Sequence, residues 1–329
     1  MNYAPIIIPT LSRDKHFIRL MESLRKNSWA KYTDVYVALD YPPSEKYKEG
    51  YTRIVEYLSN PFPEFANLYV VKRSHNYGAA LNSRDIREYV LTRYDRFIRT
   101  DDDVEFSPNF LEYMNKCLDY YENNPNVIAV TGYSYPIRWK VENGANVTTE
   151  NFSCPMWGTG FWKSKLKDID SFIMSGGLAF KDRRMLLSPF AKMTKRCQWE
   201  YVLFCMTQDI STTLASKLSD VSMRMYTAIQ DKYVVVPTVS KVRNWGFDGS
   251  GLYCPDNSAA QDRTTALDFP YERQEIDQDE HFALRPETNF PSKYVKANRR
   301  KMNVFDSIPI KAHFFINAKR LYRLLFGAK

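Results

Sequence analysis

Apolar runs, each closed by a polar turn and followed by apolar residues at helical spacing, recur from Tyr3 to Val130. Tyr3 to Ile8 is an apolar run closed by Pro9-Thr10, and Phe17, Leu20, Met21 and Leu24 follow on one stripe, so the opening reads strand, loop, helix. Val35 to Leu39 ends at Asp40 before a Pro-Pro turn and a polar helix. Leu68 to Val71 leads through Asn76-Tyr77-Gly78 into a helix reaching about Tyr94, and Phe97-Ile98 leads into the acidic run Asp101-Asp102-Asp103. Pro108 opens a helix with Phe110, Met114 and Leu118 on one face, and Val127 to Val130 is a further buried strand. After Pro136 the regularity fades. Cys154 to Trp162 is rich in Gly and Trp, Gln198 to Gln230 reads as helical in two pieces, and Tyr233 to Val236 as a strand whose direction stays open.

Strands alternating with helices predict an α/β fold with a mainly parallel central sheet flanked by helices, and such sheets bind ligands at the carboxyl ends of their strands. Pro9, Thr10, Arg13, Asp40, Arg73, Asn76 and the acidic run all stand directly after strands. Asp40 can accept from a base imide, and Arg13 and Arg73 can pair phosphate oxygens; purely structural roles stay open for each.

Composition narrows the class. Aromatics make up 15% of the 329 residues, an excess that suits clefts which stack on flat ligands. The net charge of +8 is spread along the chain, which argues against a nucleic-acid groove and for a mild attraction to phosphates or anionic lipid. Five cysteines at irregular spacing without a CxxC read as free thiols in a reducing compartment, the cytosol. No signal peptide precedes the first strand and no apolar run is long enough to span a bilayer, so the expectation is a soluble or peripheral protein. The sequons at Asn146 and Asn151 matter only in a secretory lumen, and His16, His75, His281 and His313 lack zinc-ligand spacing.

Asp101, Asp102 and Asp103 converge where the ligand of the sheet belongs, and their repulsion calls for a counter-charge. Mg²⁺ or Mn²⁺ supplies it through one or two carboxylates and leaves positions for phosphate oxygens. A solvated acidic loop is the plainer alternative. Gly246, Gly249 and Gly251 permit positive φ and close approach to an anion, or else form an ordinary turn. Trp157 and Phe161 can stack on a sugar with Gly158 and Gly160 leaving room, or can pack in the core.

Thr100-Asp-Asp-Asp-Val-Glu-Phe-Ser-Pro-Asn-Phe110 resembles the acidic motif of the GT-A fold glycosyltransferases, especially the protein-linked β-1,2-N-acetylglucosaminyltransferases, and is similar to bacterial family-two glycosyltransferases of polysaccharide clusters. Asn244-Trp-Gly-Phe-Asp-Gly-Ser-Gly251 resembles a glycine-rich closing loop of the same enzymes, and Trp157-Gly-Thr-Gly-Phe161 their aromatic loop on the acceptor and sugar side. The likeness spans roughly residues 3 to 254, and the bacterial relatives carry a His where Tyr253 stands.

The resemblance implies a Rossmann-like nucleotide-sugar-binding fold over 1–255, its donor half in 1–135 and its acceptor half in 136–255, with a C-terminal extension in 256–329. It implies Asp103 as direct metal ligand, with Asp101 and Asp102 nearer the ribose and sugar. UDP is the implied nucleotide, Trp157 and Gly158 lie beside the sugar, and Gly249 and Ser250 belong to the loop over the diphosphate. The general base in these enzymes starts a helix between the aromatic and glycine loops, and Asp209 matches best, with Glu200 and Asp220 as competing carboxylates. The reaction implied is inverting transfer of a sugar, N-acetylglucosamine by resemblance, to a hydroxyl of a glycan or lipid-linked oligosaccharide in surface polysaccharide biosynthesis.

The basic, apolar tail from Lys311 can lie on an anionic inner leaflet, where lipid-linked acceptors are found, or pack on its own core. Two rival readings remain. A nucleotidyltransferase making sugar nucleotides normally has a Gly-rich loop after the first strand, which Pro9-Thr-Leu-Ser-Arg13 lacks. A non-catalytic carbohydrate-binding protein on the same fold is opposed by the intact carboxylates.

Overall fold

Isoleucines with no solvent exposure, Ile6, Ile7 and Ile8, form a strand that only a sheet covered on both faces can hold. In the computed structural model, which describes residues 2–151, 154–174, 220–251 and 274–306, this strand is β1 (Ile6–Thr10). It pairs in parallel with β2 (Asp34–Leu39) on one side and β4 (Arg96–Arg99) on the other, while β3 (Asn67–Lys72) extends β2 in parallel. Tyr3, expected within β1, instead stacks on Tyr32 outside it with ring centroids 4.9 Å apart. Helices α1 (Asp14–Arg25), α2 (Lys48–Leu58) and α3 (Gly78–Val90) connect these strands. Phe17, Leu20, Met21 and Leu24 of α1 are all buried, as their spacing predicts. Helix α3 stops short of Tyr94 because that residue turns back to β2, where its hydroxyl donates to Asp34 at 2.6 Å.

The other half departs from simple alternation. Strands β6 (Val127–Thr131), β7 (Val147–Glu150), β8 (Thr159–Trp162) and β9 (Tyr233–Pro237) complete an eight-stranded sheet in the order β3-β2-β1-β4-β8-β6-β9-β7. Strand β8 is antiparallel to both β4 and β6, β9 is parallel to β6, and β7 closes the edge antiparallel to β9. The sheet is therefore mainly parallel, with β8 inverted at its centre. Helix α4 (Phe110–Tyr121) covers one face, and α5 (Lys163–Met174) with α6 (Asp220–Gln230) lies beside the other. A separate ribbon joins β5 (Val104–Phe106) to β10 (Val242–Asn244).

The segment expected as an aromatic loop is thus corrected at its second half: Thr159 to Trp162 is a central strand. Phe161 is fully buried against Phe97, 5.6 Å between centroids, so it is a core residue and faces no sugar. The glycines serve packing as well. A Cβ on Gly160 would stand 2.8 Å from Met114, and one on Gly158 would stand 2.8 Å from the Phe110 ring, so both spaces are filled by α4. Residues 274–294 run back along the domain, with Pro286 bridging Val147 and Phe282 entering the core, and α7 (Val295–Asp306) brings Met302 against Trp139 and Val236. Among the described residues no helix is long and apolar enough to cross a membrane.

Gly158 has φ of 63° and a crowded Cβ direction, whereas Gly144 has φ of 68° and open space. Gly158→Ala is expected to lower unfolding free energy by roughly 2–4 kcal/mol and Gly144→Ala by only about 1 kcal/mol in urea titrations. Equal losses would show that α4 does not need the glycine.

Candidate functional site

Strand β4 ends at Arg99 and β5 begins at Val104, so Asp101, Asp102 and Asp103 occupy the connection at the carboxyl end of the parallel strands. Each carboxylate has a separate partner set. Asp102 is buried, accepts from the Thr10 hydroxyl at 2.7 Å, and pairs with the Arg13 guanidinium. Arg13 also donates to Asp103 Oδ2 at 2.8 Å, and the two carboxylates hold it charged above its ordinary range despite burial. Asp101 faces the other way, accepting from Arg99 at 2.7 Å.

Asp103 is the most constrained of the three. Its Oδ1 is buried without a hydrogen-bond partner among the described residues. Burial, then the neighbouring Asp101 and Asp102 charges, push its carboxyl up to about 7 against the pull of Arg13. An orphaned buried carboxylate oxygen is costly, and a divalent cation would satisfy it. Among the described residues no three metal-ligating side chains cluster.

The ribbon sets the glycine-rich loop on this oxygen pair. Asn244 registers with Val104, the Trp245 N–H donates to the Asp103 carbonyl at 2.8 Å, and a Cβ on Gly246 would stand 2.0 Å from Asp103 Oδ2. Gly246 is required for close approach rather than for positive φ; of the loop's glycines, Gly249 alone has it, at 82°. Asp248 accepts from Ser250 at 2.6 Å and meets His16 Nε2 at 2.9 Å, and these contacts bring its carboxyl down to about 2 against desolvation. Arg19 lies over the Trp245 ring at 4.1 Å. The loop is therefore fastened to α1 at its tip and to β5 at its root.

Across Asp101 lies a second carboxylate. Asp220 begins α6 and accepts from the Met156 N–H at 2.9 Å, while the Met156 carbonyl accepts from Arg99 at 3.1 Å. One peptide segment thus ties Asp220 to the Arg99–Asp101 pair. Asp220 keeps solvent contact, yet loss of hydration and the Asp101 charge push its carboxyl up to about 6. Trp157, half-buried just beyond Met156, stands edge-on to Tyr133 at 4.8 Å and to Phe247 of the glycine loop at 6.0 Å. Asp209 and Glu200 lie outside the described residues.

The expected nucleotide contacts need revision on one side. Pro9 and Thr10 end β1 beside the carboxylates, with Arg13 close behind. Asp40, however, is buried and accepts from the Tyr41, Tyr77 and Gly78 N–H groups and from Asn76, so its oxygens shape the loop before α3 and are not open to a base imide. Asn76 also donates to the Tyr41 carbonyl at 2.7 Å. Arg73 is spent on Asn82 at 2.8 Å and Asp85 at 2.6 Å with its plane over Tyr77, so it is not free to pair phosphate. Sequence reading gives Arg99, His16 and Asp248 no role at the site, although Arg99 adjoins the acidic run and Asp248 stands inside the glycine-rich motif.

No family model matches the chain, and no curated protein does. Solved structures do. Staphylococcus aureus TarS is 18% identical over 52% of this chain and 30% of the TarS chain with a TM-score of 0.36. In its 1–349 form it is 16% identical over 100% of this chain and 76% of the other, with a TM-score of 0.41. The mannosyltransferase PcManGT from Pyrobaculum calidifontis, in complex with GDP-Man and Mn²⁺, is 11% identical over 99% and 88% of the two chains, TM-score 0.42. A cytidylyltransferase from Leptospira borgpetersenii is 13% identical over 52% and 65%, TM-score 0.31. The chain spans under a third of the full TarS chain it matches. Each of these four TM-scores is below 0.5.

A carboxyl raised by burial binds its proton in the folded state and releases it on unfolding, so its stabilising effect is present below the ordinary carboxylate pKa and is lost as pH rises towards 7. Asp103→Asn removes that loss. The variant is expected to melt above the wild type at about pH 8, with the gap closing by about pH 4; a gap constant across that range would contradict the raised carboxyl.

Proposed function

We propose that this chain is a glycosyltransferase that takes a sugar from a nucleotide-diphosphate donor. The observation that carries the reading is the buried, unpartnered Asp103 oxygen at a strand end beneath a glycine loop that a single Cβ would displace. UDP is the proposed nucleotide, by the resemblance of the acidic and glycine motifs. Asp103 would hold Mn²⁺ or Mg²⁺, with Asp101 and Asp102 nearer the ribose and sugar, and the cation when bound neutralises charge on the departing diphosphate.

The chain's own groups do the remaining work. Arg13 balances two of the carboxylates, and we assign its charge to the donor phosphates once a cation takes its place at Asp103. Gly246, Gly249 and Ser250 shape a cover over the diphosphate, and Trp157 with Gly158 forms the wall beside the sugar. We assign the general base to Asp220 in place of Asp209, because Asp220 is tied through Met156 to the Asp101 side of the site and its carboxyl near 6 is ionised at neutral pH while still basic enough to take a proton. A base facing the donor from that side gives inversion, with no covalent intermediate.

The acceptor is a hydroxyl of a glycan or lipid-linked oligosaccharide. N-acetylglucosamine as the donor sugar, surface polysaccharide biosynthesis as the setting, a cytoplasmic location and contact of the tail from Lys311 with the anionic inner leaflet complete the proposal. The tail lies outside the described residues. We take 1–255 as the catalytic domain and 256–329 as its extension.

The test is release of nucleoside diphosphate from UDP-sugars, then from GDP-mannose, in the presence of Mn²⁺ and candidate acceptors. Asp220→Asn is expected to keep donor affinity and cut turnover by roughly 10²-fold. If Asp220→Asn turns over normally while Asp209→Asn does not, the base is Asp209. Release of pyrophosphate from nucleoside triphosphate and sugar phosphate would instead favour a nucleotidyltransferase.

A further inference from the structure

A cavity of about 210 Å³ opens at the far edge of the sheet, away from the acidic site. Its walls come from the end of α4, from edge strand β7 and from the returning segment before α7. Asn124 precedes β6, and Phe290 meets Tyr233 at the start of β9, so the cavity sits at the amino ends of the parallel strands, opposite the end that carries Asp101 to Asp103. It is smaller than the roughly 300 Å³ at which drug-sized sites begin, so it suits a single ring rather than an extended ligand.

Its chemistry is specific. No cationic side chain lines it, and Glu287 is its one carboxylate, which disfavours phosphates and acids and is too few ligands for a metal ion. Tyr120, 57% exposed and standing edge-on to Tyr121 at 4.8 Å, offers a flat face at the mouth. The polar groups around it keep unused valences among the described residues. Thr149 Oγ1 accepts from Ser292 at 3.1 Å and retains its proton to give. Asn124 Oδ1 accepts from Asn126 at 3.0 Å and leaves its amide hydrogens, whereas Asn289 donates to Glu142 at 2.9 Å and leaves its carbonyl. Donors and an acceptor set round an aromatic face, without positive charge, match the hydroxyls and apolar face of a pyranose.

We propose that this cavity is a second carbohydrate site that binds one neutral sugar ring, remote from the acidic site. It would hold a glycan at a second point and raise its local concentration at the chain. The proposal does not require the donor reading, since it concerns binding alone.

Saturation-transfer NMR on the full chain with methyl glucoside, methyl galactoside and methyl N-acetylglucosaminide, and glucuronate as the charged counterpart, tests it. At least one neutral glycoside is expected to bind and glucuronate to fail. Tyr120→Ala should weaken binding roughly fivefold or more, Tyr120→Trp should retain it, and Asp103→Ala should leave it unchanged. Absence of binding by every neutral glycoside, equal binding by glucuronate, indifference to Tyr120→Ala, or loss with Asp103→Ala would each overturn the proposal, the last by placing the sugar in the acidic site.

Discussion

Adjacent carboxylates at the end of a buried strand repel one another in a medium that screens them poorly, and the whole active half of this molecule is arranged around that repulsion. Arg13 bridges Asp102 and Asp103, Thr10 donates to Asp102, and Arg99 draws Asp101 towards Met156 and Asp220. Among the described residues the compensation leaves Oδ1 of Asp103 without a partner. A buried carboxylate oxygen without a partner gives up stability there, and at a strand end beside two further carboxylates such a deficit is expected where a ligand supplies the missing contact.

The sheet serves the same end. Inverting β8 between β4 and β6 sends the Met156–Trp157 segment back past Asp101, which no purely parallel sheet would do. Gly158 and Gly160 let α4 press against that inverted strand. The β5–β10 ribbon then carries the glycine loop from the far half of the chain onto the carboxylates, and His16 on α1 fastens its tip. Distant segments in sequence become one wall of one site.

Much of this was legible in the sequence, for physical reasons. Strands β1, β2 and β6 are largely apolar runs because both faces are covered, β4 shows only its Phe97-Ile98 core between two arginines, and α1 and α4 show their buried stripes plainly. The acidic run stands out by charge density alone. Strand β8 did not stand out, because four residues with a glycine and aromatics show no period, and β7 is a polar edge strand. Asp40 and Arg73 stand directly after strands, but the fold fills their hydrogen-bonding capacity with partners elsewhere in the chain. Arg99 and His16 acquire meaning only when the fold sets them against Asp101 and Asp248.

The central claim is that Asp103 completes its coordination through a cation and a nucleoside diphosphate together. Calorimetric titration of the protein with UDP, with and without Mn²⁺, for the wild type and Asp103→Ala, tests it most directly. Binding that requires both the metal and Asp103 is the predicted result; UDP binding that is indifferent to the metal, or intact in Asp103→Ala, would contradict it.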